Sequence, residues 1–229
     1  MMMTSRDSEP LHSPHRESGY GTTTDPLSMW KHLVPATFLL RDTPNSTCWS
    51  LDNLAGRFVE VSGYANGSAL SQAATLLRHI QERGETAAWI TDQRSSFFPP
   101  DFAKHGIDLA ALPVMRTRHM RQATQIADLL LRCSGFSLVV MDLHHHSELP
   151  LPSQTRLSAL AKKHHSIFLC LTHTNRRHSL GSLVSLHGTT HTQRTHTDRF
   201  TSRLQIIKDK RHGPGHIHKE TYRGPDGLC

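Results

Sequence analysis

The stretch of this sequence best suited to phosphate chemistry runs from Gly63 to Leu70 (GYANGSAL). A short apolar segment precedes it and helical spacing follows it, which is the order strand, glycine-rich loop, helix. In loops of that kind, backbone N–H groups at the helix N-terminus attract phosphate oxygens. A Lys neutralises the β/γ charge and a Ser or Thr hydroxyl holds Mg²⁺, in the pattern GxxxxGK[ST]. Read in register from Gly63, Ser68 stands at the second Gly, Ala69 at the Lys and Leu70 at the hydroxyl residue. No lysine lies between Lys31 and Lys104, so no shift of register supplies one. Gly67 beside Ser68 retains the makings of a backbone nest. Without the ammonium group and the hydroxyl, ATP and Mg²⁺ are expected to bind weakly, and no cofactor is required. The glycines then serve a strand-to-helix turn. Asp142 ends the apolar run from Phe136 and has the position of an acid that holds a metal-bound water. Capping of a loop by a strand-end Asp is an equally common reason for such a residue.

The flanking elements must position this loop. Arg57 to Ser62 reads as a strand, and Ala69 to Arg83 carries Leu70, Ala73, Ala74, Leu76, Leu77 and Ile80 at helical spacing until Gly84 stops it. Thr86 to Thr91 is a second strand, Asp101 to His105 a short helix, and Leu112 to Met115 a short strand. Met120 to Arg132 is an amphipathic helix. Phe136 to Asp142 and Ser166 to Thr172 are near-continuous apolar runs, the mark of strands covered on both faces. Between them Ser153 to Lys163 reads as a helix capped by Ser153. Strands alternating with helices predict an α/β fold with a mainly parallel central sheet. From His173 to Asp198 the chain turns rich in Thr, His, Arg and Gly, and only Leu180 to Leu186 reads as strand there. Phe200 to Lys208 and His216 to Tyr222 read as two strands joined by a basic turn, an antiparallel extension of the sheet.

The 229 residues suit one domain plus tails. Residues 1–27 are polar and predicted to be a disordered tail; 28–45 are read as a docking helix and linker, and 46–229 as the core. No apolar run approaches the roughly 20 residues that span a bilayer, and no signal-peptide core is evident. The cytoplasm is the expected location. Of four cysteines none forms a CxxC pair, and Cys133 and Cys170 are expected to be buried thiols. The formal charge of +7 favours polyanions such as nucleic acid.

On these residues the chain resembles the RecA family. Leu54 to Gly63 (LAGRFVEVSG) is similar to the strand that enters the family's phosphate loop. Arg83 to Thr91 (RGETAAWIT) resembles its second strand, and Phe102 to Leu112 (FAKHGIDLAAL) the segment after it. Val139 to Asp142 resembles its acid-bearing strand, and Arg203 to Lys210 (RLQIIKDK) a late strand. The resemblance implies a RecA-like phosphate-loop core. It also locates departures: Gln93 stands at the place of the catalytic glutamate and cannot act as a general base. Thr172 to Arg176 (THTNR) replaces the family's nucleotide sensor. The implied protein is a non-catalytic relative, similar to the ImuA group associated with translesion synthesis. An ATP-dependent single-stranded DNA binder and a SulA-like division inhibitor are the alternatives.

The resemblance also implies partners: DNA, RecA itself or a translesion polymerase complex, with self-association among the outcomes. Loops after the two apolar strands would face DNA. Arg176, Arg177, Arg194, Lys208, Lys210 and Arg211 make the C-terminal third basic and are the candidate phosphate contacts. The 19 histidines include His144 to His146, His164, His165, His187, His191 and His196. Placed in expected loops with no paired Cys, they are read as surface residues, and no metal site is assigned.

Overall fold

In the computed structural model the described residues are 48–63, 69–93, 97–143, 149–172, 179–196 and 199–223. All belong to one compact unit, Ala36–Cys229. The expected tail and docking helix, and the expected site residues Gly67, Ser68, Arg176 and Arg177, lie outside them.

The elements run α1 (Leu51–Leu54), β1 (Phe58–Gly63), α2 (Ala69–Glu82), β2 (Ala87–Asp92), α3 (Pro99–Lys104), β3 (Val114–Thr117), α4 (Met120–Arg132), β4 (Leu138–Asp142), α5 (Leu151–His164), β5 (Ile167–Thr172), β6 (Leu186–His196), β7 (Arg199–Asp209) and β8 (Ile217–Arg223). They form one eight-stranded sheet in the order β3-β2-β4-β5-β1-β6-β7-β8. β1 to β6 run parallel, and β7 and β8 are added antiparallel. The fold is therefore α/β with a mainly parallel sheet and an antiparallel C-terminal extension, as a RecA-like core has.

The sheet is covered on both faces, which explains the apolar runs. Val59, Val61, Trp89, Leu138, Val140, Leu169 and Leu171 pack with Ala73, Leu76, Leu77 and Ile80 of α2. Phe58, Val139, Met141, Phe168 and Cys170 point the other way, onto Ala123, Ala127 and Leu131 of α4 and Leu157 and Ala161 of α5. Each central strand thus buries alternate residues in two different layers, and the polar residues it does carry, such as Glu60, Thr91 and Asp142, are buried as well. Helix α2 ends where expected. Gly84 adopts φ +72° and the Glu85 N–H reaches back to Ile80 O, a left-handed cap that glycine accepts without strain.

Three expectations are corrected. Helix α5 starts at Leu151, with Pro150 preceding it and Pro152 in its first turn; Ser153 is inside the helix and is not its cap. Cys133 is exposed, one residue past α4 and two beyond Leu131, the last residue of that helix's buried stripe; its thiol donates to Leu130 O. Cys170 is buried, and burial pushes its thiol pKa up. The segment expected to be irregular contains the 11-residue strand β6, whereas only Leu186 of the expected strand Leu180 to Leu186 belongs to it. Among the described residues, no helix is long and apolar enough to cross a membrane.

Candidate functional site

Parallel strands bring their C-terminal ends to one edge of the sheet, and ligands of open α/β sheets bind outside that edge. Here the edge carries Gly63 of β1, Asp92 of β2 with Gln93 just beyond it, Thr117 of β3, Asp142 of β4 and Thr172 of β5. Helix α2 begins at Ala69, six residues after Gly63. Ala69 is buried and belongs to the core cluster beneath α2; Leu70 is half-buried and packs against that cluster. The two positions aligned with the phosphate-loop lysine and the Mg²⁺ hydroxyl residue therefore face apolar neighbours.

Asp142 and Thr91 share strand parity with Leu138, Val140 and Trp89, so both lie on the α2 face of the sheet. Both are buried, and the Thr91 hydroxyl donates to Asp142 Oδ2 at 3.3 Å. Thr117 in turn donates to Thr91 O. β5 separates β1 from β4, which sets the Gly63 and Asp142 strand ends about 10 Å apart at ~4.8 Å per strand. Gln93 is exposed past the end of β2.

A second group occupies the opposite face of the same edge. Glu60, buried in β1, accepts from Thr172 Oγ1 at 3.1 Å, Ser179 Oγ at 2.6 Å and the Leu180 N–H at 2.8 Å. Thr172 and Ser179 bracket residues 173–178, which include Arg176 and Arg177. One carboxylate thus ties both ends of that basic segment to the central strand. Beside it, Ser62 Oγ and His187 Nε2 share a hydrogen bond of 3.0 Å. His187 was expected in a loop. It is instead a buried residue of β6, and desolvation depresses its pKa, with Lys208 acting in the same direction and Glu60 opposing.

Among the described residues, the basic candidates do not form one patch. Arg194 lies toward the C-terminal end of β6, paired with Phe200 of β7, and its guanidinium carbon is 6.0 Å from the Phe200 ring centroid. Lys208 stands eight residues along β7 from Phe200, roughly 27 Å away at ~3.4 Å per residue, at the other end of the sheet. Lys208 Nζ donates to Gly181 O and Ser182 O, and desolvation, then the neighbouring Lys210, lower its pKa. Arg211 donates to Asn53 O, and Lys210 is exposed. Lys208 and Arg211 thus tie loops to the sheet at the edge away from Gly63.

A different basic group emerges from strand register. His191, Arg203 and Lys219 are directly opposed across β6, β7 and β8, and all three are exposed. Arg199, also exposed, lies on the same face four residues before Arg203. β6 continues six residues past the Gly63–Thr190 pair, so this hairpin projects roughly 20 Å beyond the edge that carries Gly63. Residues 12 to 28 positions apart meet here only because the strands pair, and no local motif announces that.

The fold and this edge are consistent with a RecA-like core. Over part of its length the chain is similar to RecA proteins. It is 32% identical over 87 residues to RecA of Acinetobacter baylyi, covering 38% of this chain and 25% of that protein. With RecA of Saccharopolyspora erythraea it shares 34% over 88 residues, 38% of this chain and 25% of the relative. With RecA of Francisella tularensis subsp. novicida it shares 31% over 88 residues, 38% and 24% respectively. The chain spans about a quarter of the length of the curated relatives it matches. No protein-family model matches it. These similarities support a RecA-like relationship.

Proposed function

We propose that this chain is a RecA-like accessory protein of DNA repair that works by binding DNA or a partner protein and does not turn over ATP. The observation that carries this reading is the start of α2, where Ala69 and Leu70 pack into apolar surroundings at the two positions where triphosphate and Mg²⁺ would need an ammonium and a hydroxyl. Gln93, where a general base would stand, supports the same reading. A translesion-synthesis role of the ImuA kind is the finer form, with RecA or a polymerase complex as the partner. The projecting face of Arg199, Arg203, Lys219 and His191 supports contact with a phosphate backbone. Self-association and a cytoplasmic location belong to the same proposal.

An ATP-dependent DNA-binding protein is the second reading, favoured by Asp142 buried at the edge with Thr91 bonded to it. Thermal melting with millimolar Mg-ATP separates the two, because a ligand of the folded state raises the midpoint by mass action. The accessory reading expects an unchanged midpoint and no ATP turnover with or without single-stranded DNA. Turnover stimulated by DNA would refute it.

A further inference from the structure

At the end of the sheet away from Gly63, the structure brings together a thiol, a carboxylate and an imidazole. One donor atom each of Cys48, Asp209 and His212 lies within 4.8 Å of the others. From this cluster we infer a structural Zn²⁺ site, which is independent of the functional reading above.

The geometry supports it on three counts. Asp209 Oδ2 and His212 Nδ1 are 3.2 Å apart. The two atoms share a hydrogen bond that an ion would replace: ligands held about 2.0 Å from a tetrahedral ion are separated by about 3.3 Å, so neither atom need move. Asp209 is already oriented: its Oδ1 accepts from Arg57 Nη2 at 2.5 Å and from the Arg211 N–H at 2.8 Å, which leaves Oδ2 to face the ion. Metal-bound carboxylates are ordinarily fixed by such outer hydrogen bonds. The supporting backbone is tied as well. Arg57 and Arg211 both donate to Asn53 O in α1, and the Gly213 N–H closes the turn onto Asp209 O.

Thiolate, imidazole and carboxylate together suit Zn²⁺ better than Mg²⁺ or Ca²⁺, which take oxygen ligands. The thiolate and carboxylate offset the ion's two charges, so Arg57 on the far oxygen does not exclude it. Asp209 and Cys48 are buried while His212 is exposed, which leaves the fourth position to water. The site adjoins the residue before β1, the end of the sheet opposite Asp142. Its role would be to pin residues 48–57 to the turn after β7.

The test uses the full chain, stripped with chelator and titrated with Co²⁺ and then Zn²⁺. One equivalent of Co²⁺ should give a thiolate-to-metal charge-transfer band that Zn²⁺ displaces, and Zn²⁺ should raise the melting midpoint. C48A should abolish the band, C133A should leave it intact, and H212A should weaken affinity at least tenfold. Should C48A fail to fold, H212A, altered at an exposed side chain, decides. The absence of a thiolate band, its persistence in C48A, or unchanged affinity in H212A would overturn the site.

Discussion

The Glu60 clamp allows a prediction to be worked through. Three donors converge on this buried side chain: two hydroxyls, from Thr172 and Ser179, and the Leu180 N–H. A hydrogen bond to a charged acceptor contributes about 1.5–3 kcal/mol, a neutral one about 0.5–1.5, and a buried donor left without a partner costs about 1–3. In Glu60→Gln the amide oxygen can still accept from Ser179 and Leu180, while Thr172 rotates to accept from the new N–H. The loss is the difference between charged and neutral bonds, about 2 kcal/mol after allowing for non-additivity. In Glu60→Ala all three acceptor contacts vanish, and the hydroxyls recover only part of the loss by turning elsewhere; about 4 kcal/mol is expected. At ~2–4 °C per kcal/mol for a domain of this size, the melting midpoint should fall roughly 4–8 °C in the first variant and 8–16 °C in the second. Amide exchange at Leu180 should quicken in both. Because Thr172 and Ser179 bracket residues 173–178, DNA or partner affinity should fall with the same ranking. A Gln variant as stable as wild type, or more so, would refute the reasoning. It would mean that desolvation of the carboxylate outweighs its three bonds.

Other outcomes follow from the antiparallel extension. Glu220 of β8 is half-buried, and burial pushes its carboxyl pKa up, but bonds from His218 and Tyr222, with Thr75 of α2 adding a third, hold it below the usual value. A depressed carboxylate contributes stability that is present above its unfolded pKa, about 4.3, and is lost as pH falls through the folded value. Melting of wild type and E220Q should therefore differ at pH 6 and converge only as pH falls below the unfolded value and through the lower folded one; a gap that persists in strong acid would count against this assignment. At Gly188 an added Cβ would lie 2.6 Å from Leu204 Cδ1, whose side chain is fully buried, so G188A should cost about 1–3 kcal/mol in thermal or denaturant unfolding. Replacing Arg203 and Lys219 together should weaken single-stranded DNA binding and reduce its salt slope by about 1.4, whereas replacing Lys210 should not; equal effects would disprove the division between the two ends of the sheet.

The parallel core was legible because its physics is local to each segment. Strands β4 and β5 are buried on both faces, so their apolar runs could scarcely mean anything else, and α2 and α4 show their buried stripes at i, i+4 spacing. β6 was not legible for the complementary reason. Only its first five residues, Leu186 to Thr190, pair with β1 and are mostly buried; from His191 onward it leaves the parallel sheet and is largely exposed, so no apolar alternation is required of it. Its threonines, at 189, 190, 192 and 195, were the available signal, since β-branched residues suit a pleated surface. At the candidate edge, the missing lysine and the strand-end Asp142 could be read directly. The Glu60 clamp, the Arg199–Arg203–Lys219 face and the Cys48–Asp209–His212 cluster could not. Each joins residues from segments far apart in the chain, and only register or a folded turn brings them together.

The two edges of the sheet differ in what their charges do. At the edge away from Gly63, Arg57 and Asp209 form a fully buried pair, and Lys208 and Arg211 are bonded to backbone carbonyls. Charges bound in this way fix the fold. At the Gly63 edge the lysine that would anchor a triphosphate is absent from the start of α2, yet basic residues persist on the hairpin beyond it. A nucleotide is a compact ligand whose charge must be met inside the turn before α2, whereas a nucleic-acid backbone or an acidic partner surface is extended and can be met by residues spaced along a strand. On the proposed reading, absence of one buried cation would remove the first kind of ligand without touching the second. That asymmetry is the physical argument behind the proposed function, in which ATP chemistry is absent and a binding face is present.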